Sequence, residues 1–409
     1  MNVAVANSFK KHAKTKTETA WTLGGIAMTD RGSTEALGTR ACPVRLTDYE
    51  DVVAAATDPE RFSSAISSHL HVPNTMDGDE HREFRRIVDK YMSAGAVADL
   101  EPMLTEVARK VVEELPRGTA IDAVADFGSI FAVRAQCRWL GWPEELEGEL
   151  LDWMRSNEEA ARAGDPERNV AVAEAFDAIV RRQVDVRREA RNSGSPYDDV
   201  TARLLEECVF GRPLTVEEIV SMLRNWTAGD LGSLARCVGV VIVRLLDDSS
   251  LFDRVRELIE HLEKDTSAEL HNRCEAELEA IIDECLRIVD PFPSNGRVAT
   301  CPVQLSHRIS FDADTHFSLE WAVANRDPKV FKGAHGPDTF DAKGNRPYNL
   351  VYGIGPHACP GRLLSTVELR IVLSALLSGI SAVRSAPDSE RVPAEELLLG
   401  WAKVPIVLS

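Results

Sequence analysis

One stretch joins a reactive side chain to a backbone built to present it: Tyr352-Gly-Ile-Gly-Pro-His-Ala-Cys-Pro-Gly361. Its three glycines and two prolines bend the chain sharply and clear side chains from one side of Cys359. Such a loop can turn a sulfur and several backbone N–H groups towards a large flat ligand. An apolar helical pattern, Arg362 to Leu377, begins directly after it and puts the positive end of its dipole near the sulfur. Both features favour thiolate over thiol. A thiolate held this way suits an axial haem ligand, because it pushes electron density onto iron and favours O–O cleavage. The bland alternative is a buried free cysteine beside a tight turn.

Three further groups could carry chemistry. Glu284-Cys-Leu-Arg287 sets an acid and a guanidinium at i and i+3, a natural ion pair on one helix face. His81 and Arg85 fall at i and i+4 on another helical pattern, where they could donate to carboxylates. In the centre of the longest pattern lies Ala228-Gly-Asp-Leu-Gly-Ser233, with Ser233 three residues after Asp230 on the same face.

The cysteine loop resembles the ligand signature of the cytochrome P450 family, aromatic-x-x-Gly-x-(His/Arg)-x-Cys-x-Gly. Tyr352, Gly355, His357, Cys359 and Gly361 fill its slots, with Tyr352 where Phe is usual. The resemblance covers roughly residues 40–409 and implies the cytochrome P450 fold, with Cys359 as the metal ligand of haem b, iron protoporphyrin IX. It implies that Tyr352, Gly353 and Gly361 surround the cofactor and that His357 is a fourth candidate donor to its propionates. His81 and Arg85 match the family's propionate clamp, Arg297 the arginine on the other propionate, and Ala228 and Gly229 the family's small residues above the haem. Glu284 and Arg287 match a structural pair that braces the cysteine loop together with Arg326 or a near neighbour.

The central helix departs from the family's pattern. An acid followed by threonine is usual there, the pair that delivers protons to bound dioxygen. Here either Asp230 is the acid and Leu231 replaces the threonine, or both positions are lost to Leu231 and Gly232. Ser233 or Thr227 could supply the hydroxyl instead, or each could simply bond back to the helix. Three outcomes stay open: a relay rebuilt from Asp230, Ser233 and water, a substrate that brings its own polar group, or a peroxide route. The first is favoured, because Gly232 leaves room for water beside Asp230.

The resemblance implies a monooxygenase that inserts one oxygen atom into a small hydrophobic or aromatic substrate. NAD(P)H electrons would arrive through a separate ferredoxin or flavoprotein. A haem-thiolate peroxygenase is the second reading, and a non-catalytic haem-thiolate ligand binder the third. The resemblance assigns the pocket walls to Ser63–Met76, the central helix, Val289–Asn295 and Leu397–Trp401, with Trp226, Val289, Phe292 and Leu398 as apolar lining and His69 and His71 as ionisable lid residues.

Composition is consistent with this. The chain has 409 residues and a net charge of −18, which argues against nucleic acid. No run of about 18 apolar residues and no signal-peptide order appears, so a cytoplasmic protein without stable membrane insertion is expected. The eight cysteines show no metal or disulfide spacing, and those besides Cys359 read as small core hydrophobes. A monomer is the expectation carried from the family.

The elements that must position these residues are mostly helical. Periodicity predicts helices over 80–91, 100–115, 124–140, 145–163, 169–190, 215–246, 251–264 and 270–289. Short strands are expected over 41–46, 297–305, 309–311 and 404–408. The fold class is therefore mainly α with a small β-rich lobe. The expected organisation is a basic tail over 1–20 and one domain over 21–409, with β-rich pieces near 41–57, 297–311 and 397–409.

Overall fold

The computed structural model describes residues 43–409 apart from 68, 164, 265–266, 293, 307–308 and 395–398, together with the backbone of 21–23 and 26–28. The basic tail over 1–20, Cys42 and Leu398 lie outside the described residues. In chain order the α-helices are α1 (Tyr49–Thr57), α2 (Gly78–Tyr91), α3 (Ala94–Glu114), α4 (Ser129–Leu140), α5 (Leu146–Ala163), α6 (Pro166–Asn192), α7 (Val200–Leu204), α8 (Val216–Asp247), α9 (Ser249–Glu263), α10 (Ala268–Ile288), α11 (Trp321–Ala324) and α12 (Arg362–Ser378). The fold is mainly α with small sheets, as expected.

Helix α8 is the axis of the body. A full capping box starts it: the Thr215 side chain accepts from the Glu218 N–H, and the Glu218 carboxylate accepts from the Thr215 N–H at 2.7 Å. The helix is buried along most of its length, and α4, α6, α10 and α12 pack around it. Two glycines let backbones close on each other here. A Cβ on Gly128 would stand 2.9 Å from Ala235 Cα, and one on Gly239 would stand 2.7 Å from Val124 Cγ2. At this crossing the pattern expected as one helix over 124–140 divides into a wider π-turn over Ala123–Gly128 and then α4.

The main sheet runs in the order Val44–Leu46, His316–Leu319, Asn295–Ala299, Phe62–Ser63, with only the first pair parallel. A second sheet joins Val383–Ser385, Pro405–Leu408 and Ala120–Asp122. Three expectations are corrected. Residues 49–57, read as β-rich, form α1, because Val52, Ala55 and Ala56 share a buried face and Glu50 and Asp51 occupy the first turn. The strand expected over 297–305 breaks after Ala299, where Pro302 removes a ladder donor, and Val303–Gln304 pairs instead with Ser310–Phe311. Helix α3 starts at Ala94, six residues before the apolar pattern, because Ser93 caps the Ala96 N–H at 3.4 Å. Of the described cysteines, 137, 237, 274 and 285 are buried, but Cys208 is exposed and is not a core residue.

One buried ion pair ties α10 to the segments before the cysteine loop. Arg287 is fully buried and meets Glu284 through two bonds of 2.8 Å. Its Nη1 donates to Asn325 O at 2.7 Å, and its guanidinium lies 4.5 Å from the centre of the Phe331 ring. Glu284 Oε1 also accepts from the Asp341 N–H at 3.0 Å and from Asn345 Nδ2 at 2.8 Å. The third partner is therefore the Asn325 carbonyl. Arg326 is half exposed and pairs with Asp338 at 2.6 Å, since a surface guanidinium cannot also reach the dry centre of the network. Arg287→Leu strands the Glu284 carboxylate, so chemical denaturation of this variant should show a loss of about 3–5 kcal/mol.

Candidate functional site

The cysteine loop hangs between two fixed ends. Its carbonyls and amides are tied internally: Cys359 N–H donates to Tyr352 O at 2.8 Å, Ala358 N–H to Gly355 O at 3.1 Å and Gly353 N–H to Leu350 O at 2.8 Å. Gly353 and Gly355 have φ of 66° and 79°, the left-handed region. A Cβ on Gly355 would also lie 2.4 Å from Ala56 O in α1. Upstream, Leu350 N–H donates to Asn325 Oδ1 at 2.7 Å, and Asn325 Nδ2 donates to Asp290 Oδ2 at 2.9 Å. Downstream, Gly361 caps α12.

Cys359 opens onto a large cavity and is enclosed on its other sides. Burial raises its thiol, while the Gly361 N–H and the charges of Arg85 and Arg362 pull it down and Asp230 adds to the rise; the balance is upward. The Gly361 N–H and the two guanidinium charges act in the direction expected of the loop, and a coordinated cation would add to them.

His81, Arg85, Ala228, Gly229, Asp230, Ser233, Arg297, Tyr352, Gly353, His357, Cys359 and Gly361 all line this cavity. The structure thus brings the residues proposed for the cofactor and the proton route to one place, although their bonding differs. Arg297 is 7% exposed and donates to Gly296 O at 2.7 Å, with no carboxylate paired to it among the described residues. Burial pushes this guanidinium down to about 10. A buried cation without an anion is costly, so a carboxylate-bearing cofactor fits here. Arg85 is spent differently: its Nη1 donates to Pro356 O at 3.0 Å and Ala358 O at 2.8 Å, which braces the cysteine loop. His357 Nε2 stands 3.1 Å from Asp77 Oδ1, and the His81 ring lies 4.2 Å from that of His357. Burial, then the neighbouring His357 and Arg85, lower His81 to about 4, so it is neutral. A thiol, an unpaired buried guanidinium and imidazole donors around one cavity fit a haem with its two propionates.

Asp77 escaped the sequence reading. Burial would raise its carboxyl, but bonds from His357, Ser63 and the Ser64 N–H hold it below its usual value. The available signal was its place just before α2.

The central helix is also arranged differently. The Asp230 carboxylate accepts from Gln136 Nε2 of α4 at 2.7 Å rather than meeting Ser233. Ser233 lines the cavity, while Thr227 is wholly buried and its hydroxyl has no partner. Gly232 does not provide the expected space, because the Arg236 guanidinium folds back over it, 3.4 Å from where its Cβ would be. Gly229 is the open position, with nothing within 4 Å of its Cβ site.

Of the expected walls, the lid contributes Ser64, Ile66, His69, His71, Pro73, Asn74 and Thr75, and Trp226 and Phe292 also line the cavity. Trp226 stacks on Trp139 at 5.6 Å. Val289 lies outside the lining and packs against the core, since it is the residue that ends α10. Arg224 was missed. It binds Asp177 at 2.8 and 2.9 Å, contacts Leu70 O and stands 3.1 Å from His69 Nε2, so α8 clamps the lid to α6. Ser221 Oγ and Asn225 Nδ2 complete the clamp on Val72, each at 2.9 Å. The cationic wall is thereby already neutralised by Asp177.

A family model described as Cytochrome P450 matches residues 166–405. Among characterised proteins, the chain is 27% identical to the erythromycin C-12 hydroxylase of Saccharopolyspora erythraea, over 88% of this chain and 86% of that one. It is 27% identical to the cyclomarin C epoxidase CymV of Salinispora arenicola, over 82% of both. The structure of the LnmA cytochrome P450 hydroxylase of Streptomyces atroolivaceus superposes with a TM-score of 0.71, 26% identity and 89% coverage of both chains.

Two measurements check this geometry. Gly355→Ala should lower haem occupancy of the purified protein, because it places a side chain at positive φ and against α1. Burial, followed by the charge of Arg224, lowers His71 to about 4. Below its ordinary value near 6.5 the unfolded chain takes a proton that the folded chain refuses, so stability falls as pH drops from about 6.5 to 4. Unfolding free energies at pH 7 and pH 5 should therefore differ less in His71→Asn, by about 2 kcal/mol.

Proposed function

Because the chain belongs to the cytochrome P450 family of haem-thiolate monooxygenases, we propose that it inserts one oxygen atom from dioxygen into a small hydrophobic or aromatic substrate by hydroxylation or O-dealkylation. The observation that carries this reading is a single cavity where the Cys359 thiol, the unpaired Arg297 guanidinium and an aromatic wall of Trp139, Trp226 and Phe292 meet.

Haem b, bound through Cys359, supplies dioxygen reduction and oxygen transfer. The protein does the rest. Arg297 and His81 would hold the propionates, Arg85 keeps the loop carbonyls in place, and Tyr352 closes the side of the loop. Gly229 leaves space against the ligand face, and Asp230 presents the acid through which protons reach the cavity. The clamp of Ser221, Arg224 and Asn225 on residues 70–72 keeps the lid closed against α8. Neutral substrates suit the lid side of this pocket, since the Arg224 guanidinium there already faces Asp177. The Trp139, Trp226 and Phe292 rings in the wall favour flat or aromatic molecules. Electrons come from NAD(P)H through a ferredoxin or flavoprotein.

A peroxide-driven reaction is the second reading, and Leu231 is what favours it, because a buried leucine fills the slot of the usual threonine. Titration of the purified ferric protein with phenolic ethers and terpenoids should move the Soret band from low to high spin. Turnover of the best binder with a reductase system should exceed turnover with hydrogen peroxide. The reverse order would favour the second reading, and Cys359→Ser should abolish the thiolate band of the ferrous carbon monoxide complex in either case.

A further inference from the structure

Asp290 stands where α10 has just ended and the cavity wall begins. The proline after it favours an extended backbone there, and its side chain turns back on the chain. Oδ1 accepts from the Phe292 N–H and Oδ2 from Asn325 Nδ2, both at 2.9 Å. Asp290 and Asn325 are 2% and 0% exposed. Burial pushes the Asp290 carboxyl up to about 8, against the pull of these two donors. Losing either bond leaves a polar group unmet in the interior.

The two bonds lead in opposite directions. Pro291 and Phe292 line the cavity. Asn325 belongs to the frame of the cysteine loop: its carbonyl accepts from Arg287 and its Oδ1 from the Leu350 N–H, each at 2.7 Å. Glu284 and Arg287 hold that frame without using Asp290. The wall is tied again at Asn295, whose Oδ1 accepts from Trp321 Nε1 at 2.7 Å.

We propose that Asp290 is a specificity-determining positioning residue, which holds the Phe292 wall in register with the cysteine loop and so sets where a flat substrate lies. The inference rests on the reading of the cavity as a monooxygenase site. Asp290 is outside the cavity lining and acts through Phe292. Small displacements matter at such a wall, because reaction at one substrate position over another depends on fractions of an ångström.

Titrations of the ferric holoenzyme with imidazole and 4-phenylimidazole test this. Both ligate haem iron through a ring nitrogen, but only the phenyl group needs the wall. Asp290→Asn turns one acceptor into a donor, which faces either the Asn325 amide or the Phe292 N–H. The variant should bind 4-phenylimidazole about tenfold more weakly and imidazole as before. Adding Asn325→Asp reverses donor and acceptor across the same bond and leaves the Phe292 and Leu350 N–H groups their acceptors. The double variant should therefore regain the unsubstituted ratio of the two affinities. A ratio unchanged in Asp290→Asn, or not regained in the double variant, overturns the proposal. If the single variant does not load haem, the double variant decides alone: the unsubstituted ratio supports the proposal and any other defeats it. The ferrous carbon monoxide spectrum of the unsubstituted protein reads the monooxygenase site separately, since a missing thiolate band there defeats that reading. Retention of that band in Asp290→Asn, with a changed affinity ratio, is the expected result.

Discussion

A charge removed from water must find all its partners in the protein, and Arg287 is the place where this fold meets that demand. Its guanidinium is fully buried, so the Glu284 carboxylate, the Asn325 carbonyl and the Phe331 ring must converge on it. That convergence fixes residues 325–345 against α10. Asn325 then holds Leu350 through its side chain, and the cysteine loop begins two residues later. The sulfur of Cys359 is therefore placed by a chain of polar contacts that starts in the driest part of the molecule.

The cavity shows the same rule with a different answer. Among the described residues no carboxylate pairs with buried Arg297 and no cation pairs with buried Asp230 or Glu368. In the first case a haem propionate would supply the anion. In the second, burial drives both carboxyls upward. Arg224 stands between these extremes, since Asp177 neutralises it and its hydrogen bonds serve to hold the lid. One cavity thus contains a buried cation that suits an anionic cofactor and a wall that is polar yet neutralised.

Much of this was legible in the residues. The spacing around Cys359, the i,i+3 pair of Glu284 and Arg287 and the i,i+4 pair of His81 and Arg85 depend on local geometry, and local geometry follows from sequence. The long apolar periodicities located the principal helices for the same reason. Residues 49–57 were less visible because α1 is short, and its buried face consists mainly of small side chains.

What sequence could not supply were the partners across elements. A helical wheel puts Ser233 and Asp230 on one face, but it contains neither α4 nor α12. Gln136 therefore decides where the Asp230 carboxylate points. Gly232 reads as empty space until Arg236 is seen folding over it. Asp77 becomes a site residue only when His357, 280 positions away, is brought beside it. Sequence determined the chemistry available and the helices that carry it, because those follow from short-range spacing and side-chain type. The tertiary structure alone decided which charges lose water together, and so which groups stay ionised, which keep a proton and which remain ready for a cofactor.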